Sequence, residues 1–159
     1  DTLNGSSPLL KMPVNSLLVT GNFVWAGVGD RDGRSSETGI RARVSLCGSS
    51  AWWEPSHGTD SLFADLQTKH VTALDGNTVP GSSTTSAVEY VSTLRDVFKG
   101  EYVTGSCPSS APFDCWQFSD VTPPTTYDDF SAVAVEPSDT DHVWVAFGKS
   151  RRFKSFWNC

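Results

Sequence analysis

The chain has 159 residues, of which 18 are Asp or Glu and 12 are Lys or Arg, so its formal net charge at pH 7 is −6. This length predicts one domain, spanning residues 1–159, that is large enough to bury a hydrophobic core. The acidic balance argues against a nucleic acid or an anionic membrane as the main partner. No apolar run approaches the roughly 18 residues that a membrane-spanning helix requires.

An N-glycosylation sequon, Asn4-Gly5-Ser6, lies near the start of the sequence. It predicts a glycoprotein if the chain passes through a eukaryotic secretory route. Chance is the alternative, because a chain rich in Ser and Thr readily produces such a triplet.

Two β-rich segments follow the sequon. Residues 14–27 form an apolar stretch that Gly21 interrupts, which predicts two short strands or one bent strand. Residues 40–47 alternate strictly between two faces, with Arg41 and Arg43 on the more polar face. This alternation is typical of a half-buried strand.

Between these segments, residues 30–37 carry spaced carboxylates around a glycine. Asp30, Asp32 and Glu37 are candidate calcium ligands, because hard cations prefer several oxygen atoms on a tight turn. The segment lacks the EF-hand pattern and contains two arginines, so we favour a solvated hairpin tip and predict neither a metal site nor a cofactor.

The segment 51–60 is the richest in residue types that bind or transform ligands. Paired tryptophans offer flat faces that stack on pyranose rings, while nearby polar groups can fix the hydroxyls. The candidate ligand-binding residues are Trp52, Trp53, Glu54, His57 and Asp60. In the alternative, Glu54 acts as the general acid of a small glycan-active hydrolase, with Asp60 or Asp65 as its partner carboxylate. A third interpretation is a loop whose tryptophans only cover the core.

Residues 86–99 interrupt the β pattern. Their apolar residues recur at helical spacing: Ala87, Val88, Val91, Leu94, Val97 and Phe98. Ser86 and Glu89 match a capping box, and Gly100 follows as a stop signal. We predict one amphipathic helix here, with a strand as the alternative because the segment is rich in valine.

The remaining segments are predicted to be strands. Residues 130–135 and 143–147 are joined by a turn-rich connector that suits a hairpin. Shorter strands are predicted at residues 101–104, 116–118 and 153–157. Short strands at this spacing predict a mainly-β fold, a sandwich or barrel of antiparallel strands.

One local pattern in this part of the chain matches a known family. An aromatic-Ser turn, Phe130-Ser131, leads into a strand that ends in an acidic-Pro-x-Asp turn, and Val143-Trp144-Val145 follows. Residues 127–147 therefore resemble a blade segment of sialidase-like β-propellers, which implies a β-hairpin. The family's Asp-box, Ser-x-Asp-x-Gly-x-Thr-Trp, does not occur, and the chain is too short to close a ring of blades. The resemblance therefore implies no catalytic residues.

Four cysteines are present, an even number that predicts two disulfides: Cys47, Cys107, Cys115 and Cys159. We expect Cys107 to pair with Cys115, because a short loop bounded by prolines closes readily, and Cys47 to pair with Cys159. The sequence has no CxxC spacing, which argues against a zinc site. Two disulfides predict a protein outside the reducing cytosol, either secreted or on a cell or virion surface.

The function predicted from these features is recognition. Six tryptophans exceed the usual demand of a core of this size, so we expect some of them to face a groove or a partner. No GxSxG, HExxH or phosphate-loop motif occurs, which favours a binding role over an enzymatic one. We expect a lectin-like, spike-like or effector-like domain of host interaction that binds a glycan or a protein receptor. Residues 149–157 are basic with interleaved aromatics and could contact a sulfated glycan or form a final strand.

Overall fold

The structure, a computed structural model, describes residues 13–20, 23–29, 38–44, 65–78, 87–102, 116–124, 129–147 and 152–157. Ten strands and one helical turn at residues 65–67 lie in these ranges. The strands are β1 (Val14–Thr20), β2 (Phe23–Val28), β3 (Gly39–Val44), β4 (Val71–Thr78), β5 (Ala87–Thr93), β6 (Val97–Tyr102), β7 (Trp116–Asp120), β8 (Phe130–Glu136), β9 (Asp139–Phe147) and β10 (Arg152–Trp157).

The strands form three antiparallel sheets. The first sheet has the order β1, β2, β3, the middle sheet β4, β5, β6, β7, and the third sheet β10, β9, β8. Each strand pairs with its neighbour in sequence, so the chain builds one sheet after another. The mainly-β prediction is confirmed.

The central strands of the middle sheet are buried on both faces. Val91 and Phe98 belong to a core shared with the first sheet, whereas Tyr90 and Val97 belong to a core shared with the third sheet. The first core consists of Leu18, Trp25, Ile40, Ala42, Leu66, Val71, Leu74, Val91, Phe98, Trp116 and Phe118. The second core consists of Val88, Tyr90, Val97, Phe130, Val133, Val135, Val143 and Val145. Since successive strand residues point to opposite faces, the three sheets stack as layers around β5 and β6.

Side-chain hydrogen bonds connect β4 to the first and the third sheets. From β1, the Ser16 hydroxyl accepts a hydrogen bond from the Leu74 N–H at 3.0 Å, and the Asn15 amide donates to a carbonyl oxygen at the start of β4 at 2.9 Å. Further along the strand, the Asp75 carboxylate accepts from the Val135 N–H of β8 at 2.8 Å. One strand therefore joins all three sheets.

Most predicted strands are present. The segment 14–27 forms β1 and β2 as two strands, and β8 and β9 form the predicted hairpin with its turn at Pro137 and Ser138. The predicted short strands correspond to the end of β6, to β7 and to β10.

The strand predicted at residues 40–47 is β3, but it is not half-buried where its side chains are described. Arg41, expected on the polar face, is only 5% exposed. Its guanidinium donates to the Gln67 side-chain oxygen at 2.9 Å and to the carbonyl oxygens of Thr38 and Ile40 at 3.2 and 2.9 Å. The helical turn before β4 therefore covers this face of the strand, a contact between distant residues that alternation alone does not reveal.

The predicted helix at residues 86–99 is wrong. Residues 87–99 of this segment form β5 and the first half of β6, joined by a turn at residues 94–96. The helical spacing is misleading because both strands carry apolar side chains on both faces, so the alternation of a half-exposed strand is missing. Glu89, which seemed to belong to a helix cap, lies in the middle of β5.

The turn between β5 and β6 provides a test of this correction. The Thr93 hydroxyl accepts from the backbone N–H groups of Arg95 and Asp96 at 3.3 and 3.0 Å. We expect Thr93→Ala to lower the free energy of unfolding, measured in urea, by about 1–2 kcal/mol because it removes this acceptor. Thr93→Ser keeps the acceptor and should lose less. In the predicted helix the same residue lies off the apolar face, and alanine there would stabilise the protein by up to ~0.7 kcal/mol.

Candidate recognition surface

The site residues predicted from the sequence lie outside the described residues. This holds for the loop candidates Trp52, Trp53, Glu54, His57 and Asp60, for the calcium candidates Asp30, Asp32 and Glu37, for Asn4, and for Cys47, Cys107, Cys115 and Cys159. Their roles and the disulfide pairing therefore stay predictions. Asp65, the alternative partner of Glu54, is exposed at the helical turn and forms an ion pair with Lys69 at 3.1 Å.

Three tryptophans have described side chains, and they fall into two groups. Trp25 and Trp116 are fully buried and pack edge to face with ring centroids 4.8 Å apart, so both serve the first core. Trp144 is partly exposed on β9. It is therefore the described tryptophan that can meet the expectation of an aromatic ring facing a partner.

Trp144 lies on the outer face of the third sheet. The inner face of β8 and β9 is buried in the second core, through the valines Val133, Val135, Val143 and Val145. The intervening residues point outward. We call the outward residues Ala132, Ala134, His142, Trp144 and Ala146 the outer platform; the first two are exposed and the others partly exposed.

Small neighbours leave the Trp144 ring open on the platform. Ala134 of β8 lies directly opposite Trp144 in the strand register, and Ala132 lies opposite Ala146. On the other side of β9, the β10 backbone places Ser155 opposite Trp144. The register also places Phe153 opposite Ala146 and Trp157 opposite His142. Methyl groups do not reach the height of an indole, so the alanines of β8 leave the Trp144 ring open on that side.

His142 contacts Trp144 along the same face. Their ring centroids are 4.4 Å apart with an interplanar angle of 43°. The two residues are two positions apart on one strand and therefore share a face. The imidazole adds nitrogen donor and acceptor capacity beside the apolar indole.

Contacts to the middle sheet hold the start of β9 in place beneath the platform. The Tyr90 hydroxyl donates to the Thr140 carbonyl oxygen at 2.9 Å, and the Lys99 ammonium donates to Asp141 at 2.8 Å. Since Asp141 is engaged on the inner side, its carboxylate does not belong to the platform.

Lys99 also pairs with Glu101 at 2.9 Å, so the ammonium is shared by two carboxylates. Burial lowers the pKa of Lys99, but hydrogen bonds to Asp141 and Glu101 outweigh burial, and the net pKa is raised. Lys99 therefore remains charged at neutral pH, and the cluster acts as a structural ion network. Among the described residues, no group of three or more His, Cys, Asp or Glu side chains is arranged to hold a metal ion.

The sequence contained a signal for this surface that composition alone did not reveal. In His142-Val143-Trp144-Val145, two valines alternate with a histidine and a tryptophan. Once the valines are assigned to the core, the rings must point outward. We had given weight to the loop 51–60 because reactive residue types cluster there, whereas the platform is assembled from two strands.

Comparisons with protein-family models, with curated protein sequences and with solved structures gave no match for this chain. The resemblance to a propeller blade thus stays a local expectation. In the described residues, no helix has the length and apolar character needed to cross a membrane.

Acrylamide quenching of tryptophan fluorescence tests the exposure of Trp144. We expect Trp144→Phe to remove an emission component that acrylamide quenches, because the indole reaches solvent. Trp116→Phe, the matched control, should remove a blue-shifted component that acrylamide does not quench, because Trp116 is fully buried. If Trp144→Phe instead removes an emission component that acrylamide does not quench, the indole is buried and Trp144 is not part of an exposed surface.

Proposed function

We propose that the protein is a recognition domain that binds a neutral glycan through the outer platform. The partly exposed Trp144, in contact with His142 and opposite Ala134, is the observation that carries this proposal. As the two predicted disulfides would require, the domain works outside the cytosol, secreted or on a cell or virion surface.

The chemistry of the platform suits a pyranose ring. A pyranose presents a C–H face that is apolar and a rim of hydroxyl groups. An indole face can cover the C–H face, and the polar imidazole ring of His142 lies beside it. The alanines beside Trp144 leave room for a ring to lie over the sheet.

The platform fits a glycan better than a protein receptor. A stable protein interface buries about 800 Å² on each partner and depends on several large anchors. Among the described side chains of the platform, Trp144 is the one large anchor, and the others are a histidine and three alanines. The net charge of −6 also favours a neutral ligand over an anionic one.

The loop 51–60 is a second candidate surface for the same function, since its tryptophans were predicted to bind glycans. The hydrolase alternative uses Glu54 with Asp60 or Asp65, and both Glu54 and Asp60 lie outside the described residues. We propose binding without turnover because the sequence contains no GxSxG, HExxH or phosphate-loop motif.

The test is a glycan array followed by calorimetry on the ligand that binds best. We expect Trp144→Ala to weaken binding at least about tenfold, a loss of ~1.4 kcal/mol or more, because an aromatic anchor is removed. Trp144→Phe should retain part of the affinity. The matched control is Leu17→Ala, since Leu17 is an exposed apolar residue, 64% exposed, on the first sheet.

Each outcome of this experiment decides the proposal. Equal affinity of Trp144→Ala and the unmodified protein, with loss only in Trp52→Ala or Trp53→Ala, would move the site to the loop. Binding restricted to sulfated glycans and lost in Arg152→Ala would replace the platform by the basic segment 149–157. Hydrolysis of the bound glycan that stops in Glu54→Gln would establish the enzyme instead.

A further inference from the structure

Glu89 occupies the centre of the middle sheet without any exposure to solvent. It lies on β5, which has β4 on one side and β6 on the other, and its relative exposure is 0%. Glu89 and Val91 are two positions apart in β5, so their side chains lie on the same face of the sheet. Since Val91 belongs to the first core, the Glu89 side chain points toward that core. A carboxyl group in an apolar layer is costly unless it is paired or neutral.

Two glycines make room for this side chain. Gly76 of β4 and Gly100 of β6 are the register partners of Glu89, and Phe118 of β7 pairs with Gly100. A Cβ atom at Gly100 would come within 3.1 Å of the Glu89 Cγ and 2.7 Å of the Phe118 ring. A Cβ atom at Gly76 would come within 2.8 Å of the Glu89 Cα. Glu89 therefore lies between two glycines, one on each neighbouring strand, and neither glycine has a side chain that would occupy the space around it.

Among the described residues, neither carboxyl oxygen of Glu89 has a hydrogen-bond partner. The side chains that face this layer from the neighbouring strands include Leu18, Thr20, Phe98, Trp116 and Phe118. Among the described side chains that pack around the first core, the ionisable group is the Tyr102 phenol. No described lysine, arginine or second carboxyl group faces Glu89 in this core. No described cation therefore stabilises the carboxylate.

We propose that Glu89 is a proton-linked latch between the first and the middle sheets: as the neutral acid it permits the two sheets to pack, and loss of its proton to water loosens their contact. Burial raises the pKa of Glu89 well above its usual range, in agreement with this geometry. The latch is independent of the outer platform, which lies on the far side of the third sheet.

The sign of the pH dependence follows from linkage. The folded state holds the proton more tightly than the unfolded state, whose glutamate has a pKa of about 4.3. The stabilising effect of the neutral acid is complete below that unfolded pKa. It declines as the pH rises, and it is lost once the pH passes the folded-state pKa of Glu89.

The test compares unfolding in urea from pH 4 to pH 10 for the unmodified protein and Glu89→Gln, which is a neutral isostere. One proton is linked to unfolding, so the ratio of the two unfolding constants should change by up to about tenfold per pH unit until Glu89 ionises in the folded state. Glu89→Gln should become the more stable protein as the pH rises. Glu136→Gln is the matched control, because it makes the same substitution at a partly exposed position of the third sheet, away from the contact between the first and the middle sheets.

A second measurement tests the role of Glu89 as a latch if Glu89→Gln does not fold. The carboxyl carbon of Glu89 can be followed by NMR in the unmodified protein, and it should report a neutral acid well above pH ~4.3, the ordinary pKa of a glutamate in an unfolded chain. Above the pH at which Glu89 ionises, amides of β5 and β2 should exchange faster with solvent. Parallel pH profiles of the unmodified protein and Glu89→Gln, or a Glu89 carboxyl group that ionises near the ordinary glutamate pKa, would overturn the latch.

Discussion

The structure depends on β4, because this strand is the place where the three sheets meet. One edge of β4 forms a backbone ladder with β5, the Ser16 side chain of β1 accepts a hydrogen bond at the other edge, and the Asp75 side chain of β4 accepts one from the backbone of β8. A typical hydrogen bond contributes only about 1 kcal/mol net, but a buried N–H left without a partner costs ~1–3 kcal/mol. The Ser16 hydroxyl and the Asp75 carboxylate prevent that loss for Leu74 and Val135. Ser16 thereby occupies the free edge of β4 and Asp75 the free edge of β8, and each edge would otherwise be open to pairing with another strand.

The middle sheet and the third sheet have different roles in the fold. The middle sheet has apolar side chains on both faces and therefore joins two cores, whereas the third sheet has one buried and one solvent-facing side. The valines of β9 fix the strand against Tyr90 and Val97, so Trp144 and His142 project from a firmly packed base. A ligand surface on such a base requires little ordering on binding, which favours affinity. Glu89 is an exception among the apolar side chains of the middle sheet, and glycines occupy the positions opposite it on both neighbouring strands.

The sequence predicts well those strands that turn residues separate. The hairpin of β8 and β9 is predicted because a turn-rich connector joins two apolar segments, and in the structure Val133, Val143 and Val145 of these strands lie in the second core. The hairpin of β5 and β6 was mistaken for a helix because burial on both faces removes the alternation of a half-exposed strand, and a dense apolar run then also fits a helical period. Arg41 was placed on a polar face because its partner Gln67 is distant in sequence. The same limit applies to the candidate site, since loop 51–60 is visible as a cluster of residue types, whereas the neighbours of Trp144 come from another strand.

Amide hydrogen exchange at neutral pH tests the central role of β4 most directly. The account predicts that the N–H groups of Leu74 and Val135 exchange as slowly as the ladder amides of β5, although their acceptors are side-chain oxygens and not strand carbonyls. Removing the acceptor in Asp75→Ala should release Val135 first, while Leu74 stays protected. Rapid exchange of Leu74 and Val135 in the unmodified protein, with β5 still protected, would contradict the claim that side-chain acceptors satisfy these N–H groups and join the three sheets through β4.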